Sequence, residues 1–137
     1  MKAVLSLQEA ISKVKPGNVV GISGFLAVGE PLELIEELVR QNQQDLTLVS
    51  VVTSHPGKEV GVGRLCENHQ VKKYVAAHIG TSPAAQKAYF SGEMEVEFTP
   101  MVTLLFVVSL PTTQVRKSCQ NWKARNSRKS FLNQLVS

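Results

Sequence analysis

The sequence predicts an α/β fold: a mainly parallel sheet with helices on both faces, incomplete at the C-terminus. Three observations lead there. Short β-favouring runs alternate with helical patterns along the first hundred residues. Asp45 to Val52 is a nearly continuous β-favouring run, as in strands covered on both sides. A glycine-containing loop joins the first strand to the second helix, the junction at which open α/β sheets bind ligands.

The elements follow in order. Ser6-Leu7-Gln8-Glu9 fits a capping box, with a hydroxyl and a carboxylate each meeting a free backbone N–H. Leu7, Ala10, Ile11 and Val14 then form one helical stripe, and Pro16-Gly17 ends the helix. Val19 to Ile22 is the first strand. Pro31 is expected as the first residue of the next helix, because its missing N–H costs nothing there. Glu33, Glu36 and Glu37 lie early in that helix and Arg40 late, matching the macrodipole, while Leu34, Ile35, Leu38 and Val39 form its buried stripe. The strand Asp45–Val52 follows, so the two strands run parallel through a right-handed crossover. Thr53 to Gly63 reads as a polar loop containing His55, a solvated side chain. Val71 to Ile79 is a third strand. Ser82 caps a helix with Pro83 as its first residue and Gly92 closing it. Glu93 to Phe98 alternates strictly, placing Glu93, Glu95 and Glu97 on one strand face.

Composition bounds the function. The chain has 137 residues, 43% hydrophobic and 19% charged, suiting one globular domain. Charge is uneven. Through Glu97 there are nine Lys or Arg against all eleven acids, a balance of −2, whereas the remainder carries six basic residues and no acid. Cys66 and Cys119 lack metal or redox spacing and read as reduced thiols. His55, His69 and His78 have no ligand spacing, so no metal site is expected. No secretory signal is evident, and the longest apolar run, Met101 to Leu110, is too short to span a bilayer. A cytoplasmic protein without membrane contact is the expectation. Arg116, Lys117, Lys123, Arg125, Arg128 and Lys129 surround only one Trp, Trp122, so the basic stretch reads as solvated charge rather than a nucleic-acid surface.

The segment Gly21-Ile22-Ser23-Gly24-Phe25-Leu26-Ala27-Val28-Gly29-Glu30-Pro31 organises the chain. A glycine loop before a helix N-terminus offers backbone N–H groups to phosphate, and glycine lets the ligand approach closely. By spacing alone it is also an ordinary βα turn, since neither the dinucleotide fingerprint nor a phosphate-loop Lys is present. Gly17, the apolar strand, Ser23-Gly24-Phe25, Gly29 and Pro31 resemble the signature of family I CoA-transferases, α subunit. Pro16, Gly21 and Ser23 depart from it, standing for an Asp, an apolar residue and a Gly. A second block is similar to the acetate and acetoacetate branch: Val71 to Pro83, then Ser91-Gly92-Glu93-Met94-Glu95-Val96 and Thr99-Pro100.

The resemblance implies transfer of CoA between a short-chain acyl-CoA and an acid such as acetate, succinate or acetoacetate. It implies coenzyme contact by Ser23, Gly24, Phe25, Leu26, Ala27, Val28 and Gly29. CoA is then substrate and carrier, no further cofactor is needed, and the protein is a hetero-oligomer. The catalytic Glu comes from a partner β subunit, so no catalytic residue is assigned here. Glu93, Glu95 and Glu97 read as a solvated strand face, and Lys72 and Lys73 as surface charge, with a hold on CoA phosphates as the alternative. Two other readings stay open: a non-catalytic remnant, or a CoA- or nucleotide-binding module without transfer chemistry.

The resemblance stops at Pro100, dividing the chain into an α-subunit-like part, 1–100, and a divergent apolar strand with a basic tail, 101–137. The change of composition reads as a truncated or frameshifted product, which translating the other two frames of the gene would settle. Gln114 to Ser137 has too few apolar residues to offset ordering entropy of about 1–2 kcal/mol per residue. It is expected not to pack on the domain and to be the first segment cut by trypsin.

Overall fold

The computed structural model describes residues 4–104. The elements are α1 (Leu7–Ile11), β1 (Val19–Gly21), α2 (Leu32–Gln41), β2 (Leu46–Val49), α3 (Val62–Glu67), β3 (Val71–Ala76), α4 (Pro83–Ser91) and β4 (Glu95–Phe98). The four strands pair in parallel, in the spatial order β1-β2-β3-β4. The parallel arrangement expected from the sequence is present, with α2, α3 and α4 each closing a βαβ unit.

Local chemistry accounts for the element ends. Glu9 N–H donates to Ser6 Oγ and Ser6 N–H to Glu9 Oε2, closing the capping box. Ser82 Oγ accepts the Ala85 N–H at 3.1 Å, Pro83 opens α4, and Gly92 ends it at φ +80°. In α2, Arg40 grips Glu37 through two bonds of 2.8 and 2.7 Å.

Four expectations need correction. The first helix ends at Ile11, before Pro16-Gly17, and its Leu7 is exposed. Pro31 precedes α2 instead of opening it; with φ −79° and ψ 73° it makes a tight turn in which Leu32 N–H donates to Glu30 O at 2.9 Å. A helix, α3, occupies residues read as loop and as unassigned chain. It has six residues, starts from Gly61 and contains Gly63, so its helical signal in the sequence is weak. Residues 101–104, expected as the start of a strand, are helical, with Leu104 N–H donating to Pro100 O at 3.2 Å. Pro100, like Pro83, stands where a missing N–H costs nothing at a helical start, which overrides the β preference of the residues after it. The expected strand beyond Leu104, Cys119, and the basic tail Gln114–Ser137 lie outside the described residues.

The core has two parts. Val20, Leu48, Tyr74 and Val96 are in register across all four strands. They pack with Ile11, Ile35, Leu38, Leu65, Ala85 and Ala88 from α1 to α4. Full burial of one such apolar side chain is worth about 1.5–3 kcal/mol. On the next row, Val49 and Val75 pack with Val51, Val52, Leu26 and Leu104. Two large polar side chains buried in the core are paired. Tyr74 OH lies 2.6 Å from Ser50 Oγ, and Gln70 Nε2 donates to Leu38 O and Gln43 O, both at 3.0 Å.

Candidate functional site

The carboxyl ends of the parallel strands gather three loops. They are the segment after β1, the segment after β2 through Gly61, and the segment from Ala77 to Ser82. Side chains facing one another across them are hydroxyls and carboxylates.

The first loop contains every residue that the resemblance implied for coenzyme contact. Phe25 and Val28 exchange two backbone hydrogen bonds of 3.0 Å, enclosing Leu26 and Ala27. These two adopt φ of +53° and +67°. That is the turn for which Asn-Gly is preferred, and a left-handed residue with a side chain costs about 1–2 kcal/mol. Leu26 offsets part of this by packing into the second core cluster. Ser23, Phe25, Val28 and Gly29 are exposed, Val28 at 76%. The N–H groups of Ser23, Gly24, Leu26 and Gly29 make no hydrogen bond to another described residue.

Gly24 is constrained to glycine by its own backbone and by Glu30. Its φ is +136°, and a Cβ there would overlap Glu30 Cγ and stand 3.1 Å from the Val28 carbonyl oxygen. The protein's own side chain already occupies that space.

Glu30 was missed as a functional residue. Its carboxylate accepts the Ala27 N–H through Oε1 at 3.2 Å and the Val62 N–H through Oε2 at 3.0 Å. Burial pushes its carboxyl above the usual range, and the Val62 and Ala27 bonds partly oppose the shift. Gly61, at φ +65°, also leaves room for it, since a Cβ there would overlap Glu30 Oε2. One signal was available: Glu30 is the only charged residue between Val19 and Leu32.

Glu59 ties the other two loops together. It accepts Ser54 Oγ–H at 2.9 Å, Ser82 Oγ–H at 2.9 Å and the Ala84 N–H at 2.9 Å. His55, in the same loop, is exposed and its Nδ1 lies 3.1 Å from Pro56 O. Thr53 Oγ1 meets Thr81 Oγ1 at 3.1 Å, and the buried Thr99 Oγ1 has no partner among the described residues.

Other candidates are accounted for by surface pairing. Lys73 Nζ lies 2.9 Å from Glu95 and 2.8 Å from Glu97. Burial works against its charge, but bonds to Glu97 and Glu95 outweigh that and raise its pKa. Glu93 meets His69 at 3.1 Å, and Lys72 is exposed. Burial pushes the Cys66 thiol up to about 12, so it is no nucleophile. Among the described residues no cluster of three metal-ligating side chains occurs, and no helix is long and apolar enough to cross a membrane. A groove lined by Leu7, Glu33, Glu36, Glu37, Val39 and Arg40 includes none of the loop residues.

Comparison with known proteins gives this geometry its context. The family model for coenzyme A transferases matches residues 4–115. The α subunit of an acetoacetyl-CoA:acetate/butyrate CoA transferase from Clostridium acetobutylicum is 39% identical over 102 residues, 74% of this chain and 46% of that protein. The acetate CoA-transferase subunit α of Escherichia coli K12 is 35% identical over 102 residues, with the same coverages of 74% and 46%. The chain thus spans under half the length of these curated relatives. An acyl-CoA transferase of E. coli O157:H7, solved as a thioester complex with CoA, superimposes with a TM-score of 0.61 at 20% identity over 71% of this chain and 20% of that one. That likeness is one of fold.

Proposed function

The chain belongs to the coenzyme A transferase family, and from that premise we propose that it is the N-terminal part of an α subunit contributing to coenzyme binding. The whole enzyme moves CoA between a short-chain acyl-CoA and a carboxylic acid such as acetate, succinate or acetoacetate. It works in the cytoplasm as a hetero-oligomer. Ser23 to Gly29 contact the coenzyme, and a partner β subunit supplies the catalytic Glu.

One observation carries the coenzyme contact: the strained Leu26–Ala27 turn beyond the end of β1. A plain connection has no need of two consecutive left-handed side-chain residues, and such strain concentrates at ligand sites. The N–H groups of Ser23, Gly24, Leu26 and Gly29 provide donors beside it.

The state of the chain's own acids supports a nucleophile from the partner. A carboxylate that attacks a thioester needs an oxygen free to form the new bond. Both oxygens of Glu30 accept amide N–H groups, and both oxygens of Glu59 accept hydrogen bonds. Glu95 and Glu97 each have one oxygen neutralised by Lys73, which lowers their nucleophilicity without engaging the second oxygen. Trapping a glutamyl-CoA adduct at Glu93, Glu95 or Glu97 would contradict this assignment.

The binding test uses Val28, whose side chain points into solvent. Calorimetric titration with CoA compares wild type, Val28→Glu and Val28→Lys. A carboxylate near the polyanionic ligand should weaken binding several-fold, a lysine should not, and added salt should shrink the difference. Equal affinity in all three removes the loop from the coenzyme site.

A further inference from the structure

Glu30 connects two loops through its side chain. Oε1 takes the amide of Ala27 in the turn after β1; Oε2 takes the amide of Val62, the first residue of α3. Two glycines, Gly24 before the turn and Gly61 before α3, are packed so closely that a Cβ on either would overlap Glu30. The turn held this way contains the left-handed pair Leu26–Ala27, a conformation that relaxes unless its surroundings over-determine it.

A neutral hydroxyl or amide could accept one of these N–H groups without the cost of sheltering a charge. A carboxylate is the side chain with two acceptor oxygens and no hydrogen of its own. The geometry therefore asks for Glu specifically. Serving two amides in two loops fixes the distance between them.

We propose that Glu30 is the positioning residue of the coenzyme loop, stapling the Leu26–Ala27 turn to the start of α3 so that the loop is preformed for its ligand. The inference rests on the reading that Ser23–Gly29 contact CoA. Preforming a loop raises affinity by removing the ordering cost from the binding step.

Glu30→Gln is the direct test. It keeps the methylenes that lie against Gly24 but turns one oxygen into an NH2 group, which then faces an amide donor. Two readouts on the full chain are needed: hydrogen exchange at the Ala27 and Val62 amides, and the dissociation constant for CoA. The staple predicts faster exchange at both amides, unchanged exchange at Leu48 and Tyr74, and CoA binding weakened about tenfold, the equivalent of roughly one charge-assisted hydrogen bond. Should Glu30→Gln fail to fold, Val62→Pro breaks the staple from the other side. Proline is accepted at a first helical position and carries no N–H, and the same loss of affinity is expected.

The proposal is overturned if Glu30→Gln frees both amides and CoA affinity is unchanged while Val28→Glu still weakens binding. The loop then binds the coenzyme without needing the staple. It is overturned differently if neither substitution changes affinity, because the coenzyme reading itself has then failed. Exchange that stays slow at both amides in Glu30→Gln removes the staple altogether.

Discussion

Replacing Gly61 by Ala tests the packing around Glu30 through stability. Gly61 has φ +65° and ψ −132°, a region open essentially to glycine, where a side chain costs about 1–3 kcal/mol. The added methyl would also overlap Glu30 Oε2 and stand 2.9 Å from Cδ. The carboxylate must move, losing its bond to the Val62 N–H, worth about 1.5–3 kcal/mol when one partner is charged. Together the two effects come to about 2.5–6 kcal/mol, a large share of the ordinary 5–15 kcal/mol of a domain. Gly57 supplies the control: its φ is +76°, and a Cβ there meets nothing within 4 Å. Gly57→Ala should cost only the conformational strain, about 1 kcal/mol. Urea unfolding of the full chain, followed by far-ultraviolet circular dichroism, measures both. On a Glu30→Ala background the cost of Gly61→Ala should fall toward that of its strain alone, since neighbouring residues are not additive. Gly61→Ala costing no more than Gly57→Ala would refute the argument.

Three further outcomes are expected. Gln70→Leu leaves Leu38 O and Gln43 O without their donor and should destabilise by about 2–4 kcal/mol in the same urea assay. Cys66, buried and with its thiol pushed up to about 12, should resist iodoacetamide in the native protein and react only after denaturant is added, as read by peptide mass spectrometry. The Glu30 carboxyl binds its proton more tightly folded than unfolded. Its contribution to stability is therefore full below the ordinary carboxylate pKa and is lost as pH rises through the raised value. Across that window the unfolding midpoint of wild type should fall relative to that of Glu30→Gln; a constant difference contradicts the assignment.

What the sequence revealed was written locally. Ser6 and Glu9 are three residues apart, and Ser82, Pro83 and Gly92 bracket one helix, so chain chemistry alone marked both ends. The parallel sheet followed from apolar runs whose partners are the neighbouring runs. The candidate loop was also legible, as residues on a recognisable pattern. Its support was not. Glu30 meets Val62 across 32 residues and Glu59 meets Ala84 across 25, and no spacing rule connects such positions. For the same reason the sequence did not show that a Cβ at Gly24 would overlap Glu30. α3 escaped because six residues with an internal glycine carry too little periodicity to read.

The spatial order of the strands is also their order along the chain. For a polypeptide leaving the ribosome from its N-terminus, this permits assembly by accretion. When β2 emerges, its neighbour β1 is already in solution; when β3 emerges, β2 presents the open ladder it requires, and β4 then adds to β3. No strand has to be inserted between two that have already paired, and each crossover helix docks beside the one before it. Loop closure is repeatedly a short-range event, which keeps the entropic barrier of each step low for a parallel sheet. Synthesis at about 5–20 residues per second leaves seconds between successive strands, so growth of the sheet would be paced by translation.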